Sequence, residues 1–245
     1  VATFFDGSNF VVDKMNITDG FQPVISHWAN ASHGLDALLD PWNLVFGFAV
    51  FFLARILGIL YIINNVDDDT LRQRCRRHLL YNVVPFLVLF LAFFIRTLFK
   101  DGFAYDPATG HIYMHPFKYL DNFIEMWYLT VPFVVGVALL LYGVIRSYLC
   151  ESYVRGIWPA GIGVVVVVLS LLLNVGWNNT AYYPSTTELQ SSLTILNSSS
   201  SMFTLQTMFY VSLLVPFVVA YIAYVWWSMD KKKLTREEID TDDVY

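Results

Sequence analysis

The chain has 245 residues, of which 56% are apolar, 17% are aromatic and only 14% are charged. A soluble domain of ordinary composition carries about 25% charged residues. The composition therefore excludes an ordinary soluble globule and favours an integral membrane protein. The net charge of −5 offers no basic surface for nucleic acid, and two cysteines are too few for a secreted disulfide scaffold.

Five apolar stretches are long enough to cross a bilayer, which takes about 20 residues in a helix. We predict an all-α integral membrane protein whose first four spans form a four-helix bundle, with the fifth lying at its periphery. The predicted membrane domain covers residues 44–229. Its spans are residues 44–63, 79–99, 122–145, 159–176 and 208–229.

Residues 1–43 precede the first span and form the predicted outer segment. Residues 21–41 resemble a short interfacial helix, which would place Trp28 and Trp42 at the depth of the lipid headgroups. Residues 230–245 form a charged tail after the last span.

The basic residues are distributed unequally between the two sides of the membrane. Those in the loops after the first and third spans and in the tail all fall on one side: Arg72, Arg74, Arg76, Arg77, Arg146, Arg155, Lys231, Lys232, Lys233 and Arg236. The positive-inside rule makes this side cytoplasmic and puts residue 1 on the periplasmic side. An outside start without a signal peptide predicts that the chain is the C-terminal portion of a longer protein, with its first spans missing.

Three polar residues lie within or beside the predicted spans and are candidates for structural pairing or proton access. Arg55 is halfway through the first span, where an arginine needs a partner. Its charge either lies on an ion path or beside a buried anion, or it forms a structural ion pair or a hydrogen bond to helix carbonyls. Glu125 either accepts protons or is a carboxylate stabilised by the dipole at a helix N-terminus. Asn174 either forms a hydrogen bond between helices or serves as a ligand. Arg96 is expected to snorkel outward.

No catalytic or metal-binding constellation stands out in the sequence. The five histidines are His27, His33, His78, His111 and His115. None is at mid-membrane depth, which argues against a bis-histidine haem site within this chain. The spacing of His111 and His115 is only a weak indication of metal binding. We therefore expect the chemistry to be carried by a partner subunit, unless the chain is a transporter.

Several ordered blocks, spread over residues 20–230, resemble subunit II of the cytochrome bd-type quinol oxidases. The last block is the most specific, because it combines Tyr182-Tyr-Pro-Ser185 with Leu193-Thr-Ile195 and Pro216-Phe217. The earlier blocks are Ser26-His-Trp-Ala29, His33 to Pro41, Phe51 to Gly58, Asn64-Asn65, Arg76 to Asn82, Lys118-Tyr119 and Asn122 to Met126.

The resemblance implies a heterodimer in the bacterial inner membrane that oxidises quinol and reduces dioxygen to water. Subunit I of the family carries two b-type haems, haem d and the quinol-binding loop. Subunit II binds no haem and stabilises that partner, although some members hold a quinone in subunit II. A small accessory subunit is a further partner that the sequence leaves open.

A fragment of a secondary transporter is the alternative function, with Arg55 and the proline-containing spans lining a substrate site. A transporter is expected to show a second half resembling its first, and none is evident in these five spans. A subunit is expected to show a close-contact face toward its partner. Gly136 and Gly143, two turns apart on the third span, are the predicted face.

Overall fold

The computed structural model describes residues 2–13, 25–229 and 234–235, and within them the chain is mostly helical, as predicted. Five helical stretches in these residues are long and apolar enough to cross a membrane, which agrees with the expected number. The helices are α1 (Thr3–Asp6), α2 (Pro41–Asn65), α3 (Asp69–Phe99), α4 (Lys118–Glu125), α5 (Trp127–Leu149), α6 (Ile157–Gly176), α7 (Ile195–Ser198), α8 (Met202–Ser212) and α9 (Val215–Met229). The strands are β1 (Phe10–Asp13), β2 (Ile25–Trp28), β3 (Val66–Asp67), β4 (Gly102–Tyr105), β5 (Ile112–His115) and β6 (Leu234–Thr235).

Aspartates cap the first two long helices at their N-termini. The Asp40 carboxylate accepts a hydrogen bond from the backbone N–H of Trp42 at 2.8 Å, and Asp68 accepts one from that of Leu71 at 2.7 Å. Each carboxylate satisfies a free donor in the first turn and faces the positive end of the helix dipole. The helices α2 and α3 then pack against each other as a pair, as α5 and α6 do.

Glycines bring α5 and α6 into backbone contact. A Cβ atom added at Gly136 would lie 2.9 Å from the carbonyl oxygen of Gly163, and one at Gly143 would lie 2.6 Å from that of Gly156. Only residues without a side chain fit at such contacts, which is how membrane helices approach closely. The stripe predicted to face a partner subunit is therefore filled by the chain's own next helix.

The helix α3 is longer than a bilayer requires. Its 31 residues rise about 46 Å, whereas the hydrocarbon core is about 30 Å thick. Its first turns carry the arginines, and one of them reaches α5: Arg76 Nε donates to the carbonyl oxygen of Ser147 at 3.1 Å, and its Nη2 donates to that of Glu151. These bonds satisfy carbonyls that the end of α5 leaves free.

The third span begins later than the predicted residue 122. The chain forms the separate helix α4, changes direction at Met126 (φ −95°, ψ 57°) and starts α5 at Trp127. The reason is that α4 is amphipathic: it buries Tyr119 and Asn122 on one side and exposes Glu125 on the other. The uninterrupted apolar stretch starts only after it.

The fifth candidate span consists of α8 and α9, joined by a turn at Leu213 and Leu214. No residue of either helix is buried within the described part of the chain. The other four long helices therefore do not bury its apolar side chains.

The N-terminal segment, the segment before α2, the connection from α3 to α5 and the loop after α6 meet at one end of the molecule, which we call the hairpin end. Strand β1 pairs antiparallel with β2, and β4 pairs antiparallel with β5. Bridges from Ser8 to Ser185 and from Ala104 to Thr180 join these hairpins to the loop after α6. The opposite end carries the arginines at the start of α3, and we call it the arginine end.

The segment preceding α2 differs from the interfacial helix expected over residues 21–41, of which residues 21–24 lie outside the described residues. Strand β2 is followed by a turn and a single turn of 3₁₀ helix at Leu35–Leu38. His33 and Gly34 have positive φ angles of 50° and 89°. Such left-handed residues interrupt a helix, and pairing with β1 supplies the backbone hydrogen bonds instead.

Candidate functional site: a polar layer above an apolar cavity

A cluster of three charged side chains lies at the hairpin end of α3, and we call it the ion cluster. The Asp6 carboxylate oxygen Oδ1 lies 2.7 Å from Arg96 Nη1 and 2.7 Å from Lys100 Nζ. The Asp6 side chain is only 4% exposed. Because two cations share one buried carboxylate, the cluster carries a net positive charge.

Further contacts surround the ion cluster and fix both cations. The guanidinium of Arg96 lies over the Trp42 ring, 4.7 Å from its centroid, in a cation–π contact. Lys100 Nζ also donates to the carbonyl oxygen of Phe5 at 2.8 Å. The expectation that Arg96 snorkels into water is therefore wrong, since the N-terminal segment folds over it and supplies Asp6.

Burial shifts the ionisation of neighbouring groups in this layer. It lowers the pKa of Lys100, although the charge of Asp6 acts in the opposite direction. It raises the pKa of the Tyr119 hydroxyl, and Asp6 adds to that effect. It also lowers the pKa of Lys118, against the charges of Glu125 and Asp121. In each case the low dielectric of the interior disfavours the charged form.

A second group of polar side chains, the amide cluster, joins α4 to the end of α6. Asn122 is fully buried and donates through Nδ2 to the carbonyl oxygen of Asn174 at 2.9 Å and to Thr180 Oγ1 at 2.8 Å. Asn178 Nδ2 donates to Asn122 Oδ1 at 2.9 Å and to the Glu125 carboxylate. The cluster thereby satisfies buried polar groups where α6 ends.

Two of the three residues singled out from the sequence belong to this cluster. Asn174 is buried and donates to the backbone carbonyl of Tyr119 at 3.4 Å, while Glu125 is exposed at its edge. Arg55 lies elsewhere, on an outward-facing side of α2. The structure thus brings Glu125 and Asn174 together and leaves Arg55 apart.

Sequence reasoning missed Asp6 and Asn122, which organise the two clusters. The available signal for Asp6 was the spacing of Arg96 and Lys100, four residues apart and hence neighbours at the end of α3. Two such cations next to an apolar helix require an acidic partner, but nothing local identified Asp6, 90 residues away. Asn122 was named only as part of the sequence block Asn122 to Met126, and no local pattern marked it as the centre of a cluster.

An apolar cavity of about 390 Å³ lies between α2, α3, α5 and α6. All of its lining side chains are alanine, valine, leucine or phenylalanine, among them Phe94, Phe133 and Val164. Such a lining suits a hydrocarbon chain. It does not fit a haem, because it offers no histidine, cysteine, methionine or tyrosine as an iron ligand.

The histidines lie away from this cavity. His78 is exposed near the arginine end, and the other four lie in the segments of the hairpin end. His115 Nδ1 lies 3.6 Å from Asp121 Oδ2, and His111 is exposed. In the ranges that the structure describes, no three His, Cys, Asp or Glu side chains converge to hold a metal ion.

Five apolar helices and a polar layer assembled from their connecting segments define a multi-pass helical membrane protein. The model of one family, described as cytochrome bd terminal oxidase subunit II, matches residues 1–229. The chain therefore belongs to the family of cytochrome bd terminal oxidase subunit II, as its sequence blocks indicated, and is part of a terminal oxidase. No curated protein matches the chain at a significant level. The transporter alternative is not favoured.

Proposed function

We propose that this chain is the haem-free structural and assembly subunit of a bacterial respiratory quinol oxidase. The complex oxidises quinol and reduces dioxygen to water, and the partner subunit carries haem b and haem d. Besides family membership, one observation carries the proposal: the cavity among the long helices is lined only by aliphatic and phenylalanine side chains. A subunit with such an interior supports its partner by packing rather than by redox chemistry.

The proposed architecture is a four-helix bundle of α2, α3, α5 and α6, with α8 and α9 at its periphery. Contacts of α2 with α3 and α6, and of α5 with α3 and α6, support the bundle. The absence of buried residues from α8 and α9, within the described ranges, supports a peripheral position for them.

In the proposed orientation the arginine end faces the cytoplasm and the hairpin end faces the periplasm, in the bacterial inner membrane. Arg72, Arg74, Arg76 and Arg77 support it, because arginines near span ends are retained on the cytoplasmic side. The polar layer then lies at the periplasmic surface, where Glu125 is open to water and Asn174 has a structural role.

The main test is a dithionite-reduced minus air-oxidised spectrum of the complex that copurifies with this chain from its native membranes. Bands of b-type and d-type haem that disappear when the partner is stripped off are the expected result. A copurified complex without haem, checked by mass spectrometry of its polypeptides, would overturn the proposal.

We further propose that the apolar cavity accommodates the hydrocarbon chain of a quinone. Its volume and lining support this, since burial of an apolar chain is favourable at about 25 cal/mol per Å². Val164→Trp fills the cavity, whereas Val165→Trp, at the adjacent outward-facing position (67% exposed), is the matched control. We expect solvent extracts of the Val164→Trp complex to contain less quinone per haem; equal quinone content in both variants would contradict the assignment.

A further inference from the structure

Arg55 is an intramembrane charge on the outward-facing side of α2. It lies about 21 Å from Pro41 and about 15 Å from Asn65 along the helix axis, at 1.5 Å per residue. Both distances place it deep within a hydrocarbon core about 30 Å thick. Its side chain is exposed, and it forms no ion pair or hydrogen bond within the described ranges.

The Arg55 side chain does not turn toward the nearer membrane surface. The guanidinium carbon lies 5.6 Å from the ring centroid of Phe51, one turn back along α2 in the direction of the hairpin end. Arg55 is closer to the arginine end of α2, so this contact directs the charge toward the membrane centre. Snorkelling therefore does not account for its position.

Exposed residues form an unbroken stripe along α2 around Arg55, with open space beside two of its glycines. Outward-facing residues recur at the three- and four-residue spacing of one helix side: Leu44, Gly47, Phe48, Phe51, Ala54, Arg55, Gly58 and Ile62. A Cβ atom added at Gly47 or Gly58 would meet nothing within 4 Å. The opposite side of α2 is already packed, with Ile56, Leu60 and Ile63 buried.

An arginine in contact with lipid at this depth is unfavourable by about 2.5–3.5 kcal/mol on insertion scales. A carboxylate brought to the same depth by another helix would neutralise it and accept its paired N–H donors. The small residues Ala54 and Gly58, one turn apart beside Arg55, would let such a helix approach closely. The glycines of α5 cannot serve as this contact, since α6 already covers them.

We infer that the α2 face centred on Arg55 docks a membrane-spanning helix of another polypeptide of the oxidase, and that this helix carries an aspartate or glutamate at mid-membrane depth. The inference rests on the proposed function, since it requires that the chain work beside a partner subunit. It adds the surface through which the two assemble and the charge pair that sets their register.

Site-specific photo-crosslinking tests the surface in the native complex. Benzoylphenylalanine at Ala54 is expected to link this chain to another polypeptide of the complex, at a membrane segment that mass spectrometry shows to contain a carboxylate. The matched control is the same group at Val165, in the middle of α6 on an outward-facing side. Adducts at Ala54 with lipid only, with another segment or a second copy of this same chain, or with a segment lacking a carboxylate would overturn the inference.

Substitution of Arg55 tests the charge, and the direction of the effect distinguishes the two environments. If a carboxylate faces it, Arg55→Leu leaves that carboxylate buried without a counter-charge, and haem recovered per mole of chain falls at least about tenfold. Arg55→Lys keeps the charge but lacks the paired N–H donors of the planar guanidinium, so haem recovery falls less, by about two- to threefold. If lipid faces it, Arg55→Leu leaves the recovery of haem unchanged or raises it, which would overturn the inference.

Arg77→Leu, at an exposed position near the start of α3, controls for the loss of one positive charge and is expected to keep haem recovery within about twofold of wild type. The two proposals fail differently. Haem that copurifies with the wild type without a protein adduct at Ala54 overturns the docking surface and leaves the proposed function standing. A wild-type complex without haem overturns both.

Discussion

The α5–α6 pair and the fifth candidate span have nearly the same hydropathy but opposite packing. Mean hydropathy over their most apolar windows is 2.2 for α5, 2.2 for α6 and 2.1 for Met202–Met229. One third of each window in α5 and α6 is buried, whereas none of the window in Met202–Met229 is. Apolar character therefore does not decide which membrane helices pack together.

The difference lies in the distribution of small residues. Gly136, Gly143, Gly156 and Gly163 bring two backbones into contact along α5 and α6, whereas α8 and α9 contain no glycine. Lipid tails are as apolar as leucine, so close approach and interhelical hydrogen bonds provide the association. Variants of the glycine contact, the amide cluster and the fifth span test this explanation.

The largest expected effect is at the glycine contact. In Gly163→Leu the new Cβ would lie 2.5 Å from the carbonyl oxygen of Gly136, so we expect unfolding free energy to fall by about 1–3 kcal/mol. Gly161→Leu on the same helix is the control, because a Cβ there meets nothing within 4 Å. It should be neutral or slightly stabilising, since leucine favours helix more than glycine does. Unfolding by SDS in mixed micelles, followed by circular dichroism, measures both; equal losses would contradict the explanation.

The amide cluster provides the second test, since it joins α4 to α6 by hydrogen bonds rather than by close packing. Asn122→Ala removes two donated bonds from a fully buried site, which should reduce unfolding free energy by about 1–2 kcal/mol. Gln73→Ala, which removes an exposed amide from α3, should change it by less than about 0.5 kcal/mol in the same assay. If both variants behave alike, the cluster does not stabilise this end of α6.

The ion cluster predicts a pH dependence with a defined sign. Because burial lowers the pKa of Lys100, the unfolded chain binds more protons than the folded chain between that lowered pKa and the usual 10.5. Lys100 therefore makes stability rise with pH in this window. Lys100→Met should remove that rise, giving a stability-versus-pH slope less positive than that of wild type.

Tyr119→Phe is the counterpart, with the opposite sign. The folded chain retains the Tyr119 proton above its usual pKa of 10.0, so this group makes stability fall as pH rises above that value. Replacing it should make the slope more positive. Slopes that change in the same direction in both variants would show that these two groups do not determine the dependence.

The smallest effect is expected in the fifth span. The Phe217 ring is 74% exposed, so Phe217→Ala should change unfolding free energy of the purified chain by less than about 0.5 kcal/mol. The micelle assay used for the glycine variants measures this directly. A loss of about 2 kcal/mol would mean that α9 packs against the other helices and would remove the contrast between the two regions.

The sequence predicted the number of long helices because uninterrupted apolar runs are local features. It did not predict the break at Met126, since the amphipathic helix α4 directly adjoins the apolar run of α5. The close contact at Gly136 and Gly143 was identified, but its partner was wrongly taken to be another subunit. Small residues show that a helix comes near, and only the three-dimensional arrangement shows which one.

The candidate site was less predictable, because its contacts join distant parts of the chain. For Asn174 the sequence left open an interhelical hydrogen bond or a ligand; in the structure its amide donates to the backbone carbonyl of Tyr119 in another helix. Arg96 was misjudged because its partner, Asp6, comes from the N-terminal segment. No local pattern links an aspartate to a cation so far along the chain.

The helix α3 is held at both ends by different parts of the molecule. At one end Arg76 donates to carbonyls within and just after the last turn of α5, and at the other Arg96 and Lys100 bind Asp6. A shift of α3 along its axis by one turn, about 5.4 Å, would break both attachments at once. The two attachments therefore oppose sliding of α3 along its axis. A motion that keeps both of them intact has to tilt or rotate other helices relative to α3.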